Sequence, residues 1–176
     1  EAMNNLSEED YSEILEAAKD YNRRLKETGS PLSNYKDVAG YEDVLDITGT
    51  GIMGYVTIPQ IQIQLPIYHG TSAEVLNIAV GHLEGSTLPI GGDSTHAVLS
   101  AHRGLPSAKL FSDLDKLVVG DVFTVTVLNE VLTYEVDRIV IVEPQEVNNL
   151  EITSGKDYVT LLTCTPYGVN THRLLV

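Results

Sequence analysis

The chain has 176 residues, 43% of them hydrophobic, and a formal net charge of −14. That length suits one domain with a sizeable core, and the apolar share excludes a disordered chain. The acidic balance excludes nucleic acid as an expected partner, since phosphate binding needs clustered Lys and Arg, and it speaks equally against adsorption on an anionic membrane.

The one cysteine, Cys164, cannot form an intrachain disulfide. That fits a reducing compartment and is equally compatible with export, because a core of this size needs no staples. No signal peptide is visible, and no run of about 18 or more apolar residues occurs. The ends, at Glu1 and inside a strand-like run at Val176, read as those of a trimmed soluble piece.

Ser7-Glu8-Glu9-Asp10 predicts a helix start, with Ser7 as cap and the acids at the positive end of the dipole. Tyr11, Ile14, Leu15, Ala18, Tyr21 and Leu25 follow at helical spacing, and Thr28-Gly29-Ser30-Pro31 ends the helix. Residues 30–51 are polar and rich in turn formers, which predicts a surface connection with a short helical turn at Tyr41–Leu45.

Ile52–Ile58 and Ile61–Tyr68 read as two strands split by Pro59-Gln60, the second alternating through Ile61, Ile63, Leu65 and Ile67. His69-Gly70-Thr71 reads as a turn, Ala73–Ile78 as a short helix and Val80–Asp93 as loop. His96–His102 reads as a strand. Pro106–Leu117 has helical spacing at Ala108, Phe111, Leu114 and Leu117, with Asp113 and Asp115 on a solvated face. Asp121–Leu128 and Val131–Val142 predict a hairpin around Asn129-Glu130, and Pro144–Lys156 a long connection. Val159–Thr163 is a β-branched, apolar strand that runs into Cys164. Pro166 and Gly168 turn the chain, and Thr171–Val176 returns as a strand carrying Arg173. Many short strands and few helices predict an all-β-dominated fold, and the strand spacing alone does not separate a barrel from a sandwich.

A thiol at a strand end, beside a turn and near an arginine, has what a nucleophile needs: partial exposure, a rigid support and positive charge. The plain alternative is an inert buried cysteine. Cysteine catalysis also needs a proton partner, and His102 sits where another strand runs into a turn. His96 is its rival, because a six-residue offset on an ideal strand puts both on one face. His69 and His172 read as turn and surface residues. The spacing of His82, His96 and His102 matches no zinc pattern and no calcium loop is visible, so no metal or cofactor is expected.

Thr160-Leu-Leu-Thr-Cys164, His102-Arg-Gly104 and Arg173 occur in that family's order of His, Cys, Arg, and from about Gly54 to Val176 the chain resembles the sortases, nearest the pilin-polymerising class C group. The resemblance implies a closed β-barrel of about eight strands over residues 52–176, with an N-terminal helix and a lid or connector over residues 1–51. It implies catalysis by Cys164, His102 and Arg173; Thr163 and Thr165 flank the nucleophile, where they either contact substrate through hydroxyl or backbone groups or play a structural role. The implied reaction transfers an LPXTG-like sorting motif, through a thioacyl-enzyme, to a lysine amine of a pilin. The alternatives are surface-protein anchoring to the cell wall, hydrolysis by water, or a silent peptide-binding module. The implied location is the outer face of a Gram-positive cell membrane, with membrane anchors outside this sequence. Class C lids usually present an Asp-Pro-aromatic motif. This chain has no Asp-Pro, and Ser30-Pro31 and Tyr35 are the nearest features.

Overall fold

The computed structural model describes residues 8–46, 49–103 and 109–176. The expected cap at Ser7 and the stretch 104–108, which includes Gly104, Pro106 and Ala108, lie outside the described residues.

Helix α1 (Glu8–Glu27) forms where the apolar spacing predicts it. Ala18, Tyr21 and Leu25 on one face are fully buried in the same core as the strands. Asp20, Arg23, Arg24 and Glu27 form ion pairs on the opposite face. Such exposed pairs contribute little, so the apolar stripe holds the helix down. Asn22 adds a polar tether, its Oδ1 accepting from the Leu88 N–H at 2.8 Å.

After α2 (Pro31–Asn34) and a single 3-10 turn, the chain departs from its expected surface course. Val38, Tyr41, Val44 and Leu45 are buried in the main core. Their apolar spacing is diluted by exposed neighbours such as Glu42 and Asp43, which is why the stretch reads as polar.

The strands are β1 (Ile52–Ile58), β2 (Ile63–His69), β3 (Val80–His82), β4 (Thr95–Ser100), β5 (Val122–Val127), β6 (Glu130–Glu135), β7 (Val140–Val142), β8 (Asp157–Thr165) and β9 (His172–Leu175), with a short helix α3 (Ala73–Leu76) between β2 and β3. They form one nine-stranded sheet in the order β6-β5-β1-β2-β3-β4-β8-β9-β7. The pairs β2–β3 and β4–β8 are parallel and the others antiparallel. The fold is sheet-dominated, as expected, with nine strands where about eight were predicted.

Two strand assignments differ from the sequence reading. Val80–His82 is a strand rather than loop, and all three residues are buried. Three residues are too few to show a period, and Gly81 is there because a Cβ would collide with the Gly70 carbonyl. The predicted long hairpin arm also splits. Glu130–Glu135 pairs with β5, whereas Val140–Val142 crosses to pair with β9 at the far end of the sheet order. The sheet curls back on itself: the Tyr134 hydroxyl on β6 donates to Asp157 Oδ1 at the start of β8, 2.9 Å away.

Behind β2 and β3 lies a buried polar cluster. The Tyr41 hydroxyl accepts from the Gly70 N–H at 2.9 Å and lies 2.8 Å from His82 Nδ1. His82 Nε2 lies 2.8 Å from the Thr87 carbonyl, which can only accept, so Nε2 carries the proton and Nδ1 accepts from Tyr41. His69 ends β2 rather than lying on a surface turn, and its ring nitrogens reach the Val44 and Gly51 carbonyls. This cluster ties Tyr41, Val44 and Gly51 to the sheet.

The contrast between Tyr41 and Tyr21 is testable. The Tyr21 hydroxyl is buried with no hydrogen-bond partner among the described residues, and burial pushes its pKa up to about 12. Tyr21→Phe is expected to leave stability unchanged or raise it by up to about 1 kcal/mol, whereas Tyr41→Phe lowers it by about 1–3 kcal/mol, read from urea melts.

A second expectation concerns pH. Complete burial pulls the His82 pKa from 6.5 down to about 4, so the folded protein keeps this ring neutral while the unfolded chain protonates it. Burial lowers the pKa of His96 as well. The contribution of His82 is therefore full above pH 6.5 and is lost as pH falls from 6.5 toward about 4, and that of His96 is lost in the same direction. For His82 the loss is about 3 kcal/mol, checked by the pH dependence of the unfolding free energy.

Candidate active site

Cys164 lies one residue before the end of β8 and is half-buried. Two neighbouring strands bring the other candidates to it. On one side, β9 pairs antiparallel with β8, and Cys164 sits directly opposite Arg173. Leu161 and Val176 exchange both backbone hydrogen bonds, at 2.8 and 2.9 Å. Counting from that pair, Thr163/Leu174 is also a hydrogen-bonded position and Cys164/Arg173 is not. At such positions Cα atoms approach to about 4.5 Å and the side chains share one face.

On the other side, β4 runs parallel to β8, with Ser100 opposite Leu162. The Ala101 N–H continues the ladder, donating to the Leu162 carbonyl at 3.2 Å. His102 follows, two residues past the end of β4, between Ala101, which bonds Leu162, and Arg103, whose side chain bonds the Cys164 carbonyl. His102 is half-buried, and its carbonyl accepts from the Phe111 N–H at 3.2 Å.

Arg173 Nη1 donates to the carbonyls of Asn170 and His172, at 3.3 and 3.0 Å. It makes no ion pair with a carboxylate among the described residues, so its charge is not neutralised at close range. Thr163 and Thr165 alternate with Cys164 and point to the other face. The Thr163 side chain is fully buried, its hydroxyl donating to the Ala101 carbonyl at 2.8 Å, and Thr165 is buried too. The turn after β8 contains a cis Thr165–Pro166 bond and exposes Tyr167 and Val169.

His96 is not brought to Cys164. It is buried between strands, with Nδ1 2.9 Å from the Glu151 carbonyl and Nε2 2.6 Å from the Thr160 hydroxyl. His96 stands opposite Tyr158, six residues before Cys164 on β8, so its place along the strand keeps it away from the sulfur. No cluster of three or more potential metal-binding side chains occurs among the described residues.

Sequence reasoning missed one residue at this site. Arg103 is buried, and its Nη1 donates to the Cys164 carbonyl at 3.1 Å. Asp115, expected on a solvated face, places Oδ2 2.9 Å from Arg103 Nη2. Asp113 pairs with Lys109 and Lys116, and the Lys109 ammonium holds its carboxyl below the usual range. A basic residue next to a histidine was the available signal for Arg103, but its burial depends on a partner that sequence does not point to.

A family model for the sortase domain matches residues 56–176. The chain belongs to the sortase family. This sortase is similar to the crystal structure of sortase C1 from Streptococcus agalactiae, with 55% identity and a TM-score of 0.91 over 99% of this chain and 91% of that one. It is similar to a Clostridium perfringens sortase C structure containing the C-terminal cell wall sorting motif, with 46% identity and a TM-score of 0.84 over 99% and 90% of the two chains. Among curated proteins it is 33% identical to Sortase A of Streptococcus agalactiae over 65% of this chain and 47% of that protein. It is 31% identical to Sortase D of Bacillus subtilis over 65% of this chain and 54% of that protein. The chain thus spans about half the length of the curated relatives it matches.

Because Cys164 is half-buried at a strand end, it is expected to react with iodoacetamide in the native protein within about tenfold of its rate in denaturant. Protection of a thousandfold or more would mean that a segment covers the sulfur. Deleting residues 30–50 would not be a clean control, since it removes four core side chains.

Proposed function

We propose that this sortase is a cysteine transpeptidase that cleaves an LPXTG-like sorting motif and joins it to an amine. What carries the reading is the pairing of Cys164 with Arg173 at a non-hydrogen-bonded position of β8–β9, with His102 two residues past the end of β4. The Cys164 thiolate attacks the scissile carbonyl carbon and forms a tetrahedral oxyanion. Arg173 cannot act as a base, because its guanidinium stays charged; it holds substrate carbonyls and stabilises the oxyanion. The C–N bond breaks as His102 gives a proton to the departing amine, leaving a thioacyl-enzyme. An incoming amine then attacks the thioester, His102 takes up its proton, and the thiolate leaves. Thr163 and Thr165 contribute through the strand end that they hold, with their side chains on the far face.

Similarity to class C sortases over almost the whole chain supports a pilin lysine as the acceptor, giving an isopeptide-linked fibre. Anchoring of surface proteins to the cell wall is the second reading, favoured by the match to a Sortase A. In either case the enzyme works at the outer face of a Gram-positive cell membrane, tethered to it. Among the described residues no helix is long and apolar enough to cross a membrane.

The test is a mass-spectrometric assay with an LPXTG-type peptide and either a lysine-bearing pilin or a peptidoglycan-type amine. A peptide joined to the lysine is expected, lost by at least about a hundredfold in Cys164→Ala and His102→Ala and retained in His96→Ala. Exclusive transfer to the peptidoglycan-type amine would favour anchoring. Release of the free acid alone, with ample amine present, would make the protein a hydrolase. Peptide binding without cleavage would make it a silent binding module.

A further inference from the structure

The β4–β8 ladder stops one step short of the nucleophile. In a parallel ladder every second carbonyl of one strand takes a backbone N–H from a given neighbouring strand. The Leu162 carbonyl takes its hydrogen bond from the Ala101 N–H. By the same two-residue step, the Cys164 carbonyl would take one from the Arg103 N–H. Because Cys164/Arg173 is a non-hydrogen-bonded pair on the β9 side, that carbonyl points toward β4 and gains no ladder donor from β9. The donor it receives is instead the Arg103 side chain, through Nη1 at 3.1 Å. Pro166, with no N–H, cannot extend the ladder either.

The guanidinium also reaches three other parts of the site. Its Nε donates to the Ser112 carbonyl at 3.3 Å, and its Nη2 pairs with Asp115 at 2.9 Å. Its central carbon lies 5.5 Å from the Tyr167 ring centroid, a cation–π distance. The Arg103 side chain is 4% exposed and that of Asp115 55%. A buried guanidinium with one solvated counterion is costly unless its donors are used, and here they converge on the nucleophile strand and the segments flanking it.

We propose that Arg103 is a positioning residue for the nucleophile. Its side chain stands in for the missing ladder donor, so that the chain leaves the sheet at His102 while Cys164 keeps strand geometry. It also sets the Tyr167 turn, and hence one wall of the substrate approach. The inference rests on the proposed transpeptidase reading, and it concerns a step that lysine cannot replace. An ammonium is a point donor without the planar fork that reaches Cys164, Ser112 and Asp115 together.

The test compares Arg103→Ala, Arg103→Lys and Asp115→Asn with the parent protein in peptide cleavage, thermal unfolding and iodoacetamide labelling of Cys164. Arg103→Ala and Arg103→Lys are expected to lower kcat by about tenfold to a hundredfold, with KM changed by less than about threefold. Asp115→Asn, which keeps the guanidinium but loosens it, is expected to lower kcat by a smaller factor without a matching fall in Tm; it stands in should the Arg103 variants fail to fold. Labelling of Cys164 is expected to slow several-fold in both Arg103 variants, because the strand end that presents the sulfur loses the donor on its carbonyl. Parent-like kcat in Arg103→Ala, or full rescue by Arg103→Lys, overturns the proposal; where the Arg103 variants do not fold, parent-like kcat in Asp115→Asn does so. If the parent cleaves no sorting peptide, the transpeptidase reading fails, and labelling alone decides the role of Arg103: slowed labelling supports it and parent-like labelling overturns it.

Discussion

The site depends on the phase of one ladder. Leu161 and Val176 form a hydrogen-bonded pair, and alternation then makes Cys164 and Arg173 a non-hydrogen-bonded pair. A shift of one residue would flip Cys164 to the other face and put Thr163 or Thr165 in its place. The phase is held by burial: Leu161, Thr163, Leu174 and Val176 are all buried, so a slipped register would expose core and bury the reactive thiol. The apolar residues that fold the strand are the ones that aim the sulfur.

The second support is the handover at the end of β4. A strand that continued past Ser100 would keep His102 within regular pleated geometry. The chain leaves the sheet instead, and the 109–117 segment takes over: Phe111 N–H binds the His102 carbonyl, and Lys109 Nζ donates to the Ile61 carbonyl at 2.9 Å. Phe111 and Leu114, fully buried, anchor that segment in the core. The position of His102 is thus tied to the β1–β2 connection through the 109–117 segment, and to β8 through its neighbours Ala101 and Arg103.

Much of this was legible in the sequence, for reasons that can be stated residue by residue. A single cysteine leaves no choice of thiol, and the apolar run from Val159 to Leu162 marks its strand. Arg173 lies nine positions on, across a Pro-Gly turn, which is hairpin distance. What escaped was non-local or too short to carry a period. Val140–Val142 looks like a continuation of β6, and only pairing with β9 shows otherwise. Val80–His82 spans three residues. Val38, Tyr41, Val44 and Leu45 are core residues set among acids, and Tyr41 is held there by Gly70 and His82. The buried role of Arg103 escaped because burial of a guanidinium is decided by partners 12 residues and 61 residues along the chain.

The parallel β4–β8 pair has a kinetic consequence. Its partners, from Thr95/Asp157 to Ser100/Leu162, are all 62 residues apart, so no local hairpin can bring them together. Loop closure over that span must precede the contacts that reward it, which makes this pairing a slow event in folding. The hairpins β1–β2 and β5–β6 form locally and can be in place first. The Cys164 end of β8 and the end of β4 therefore come together only after most of the chain has folded. The surroundings of Cys164 are completed in the same step as the tertiary structure.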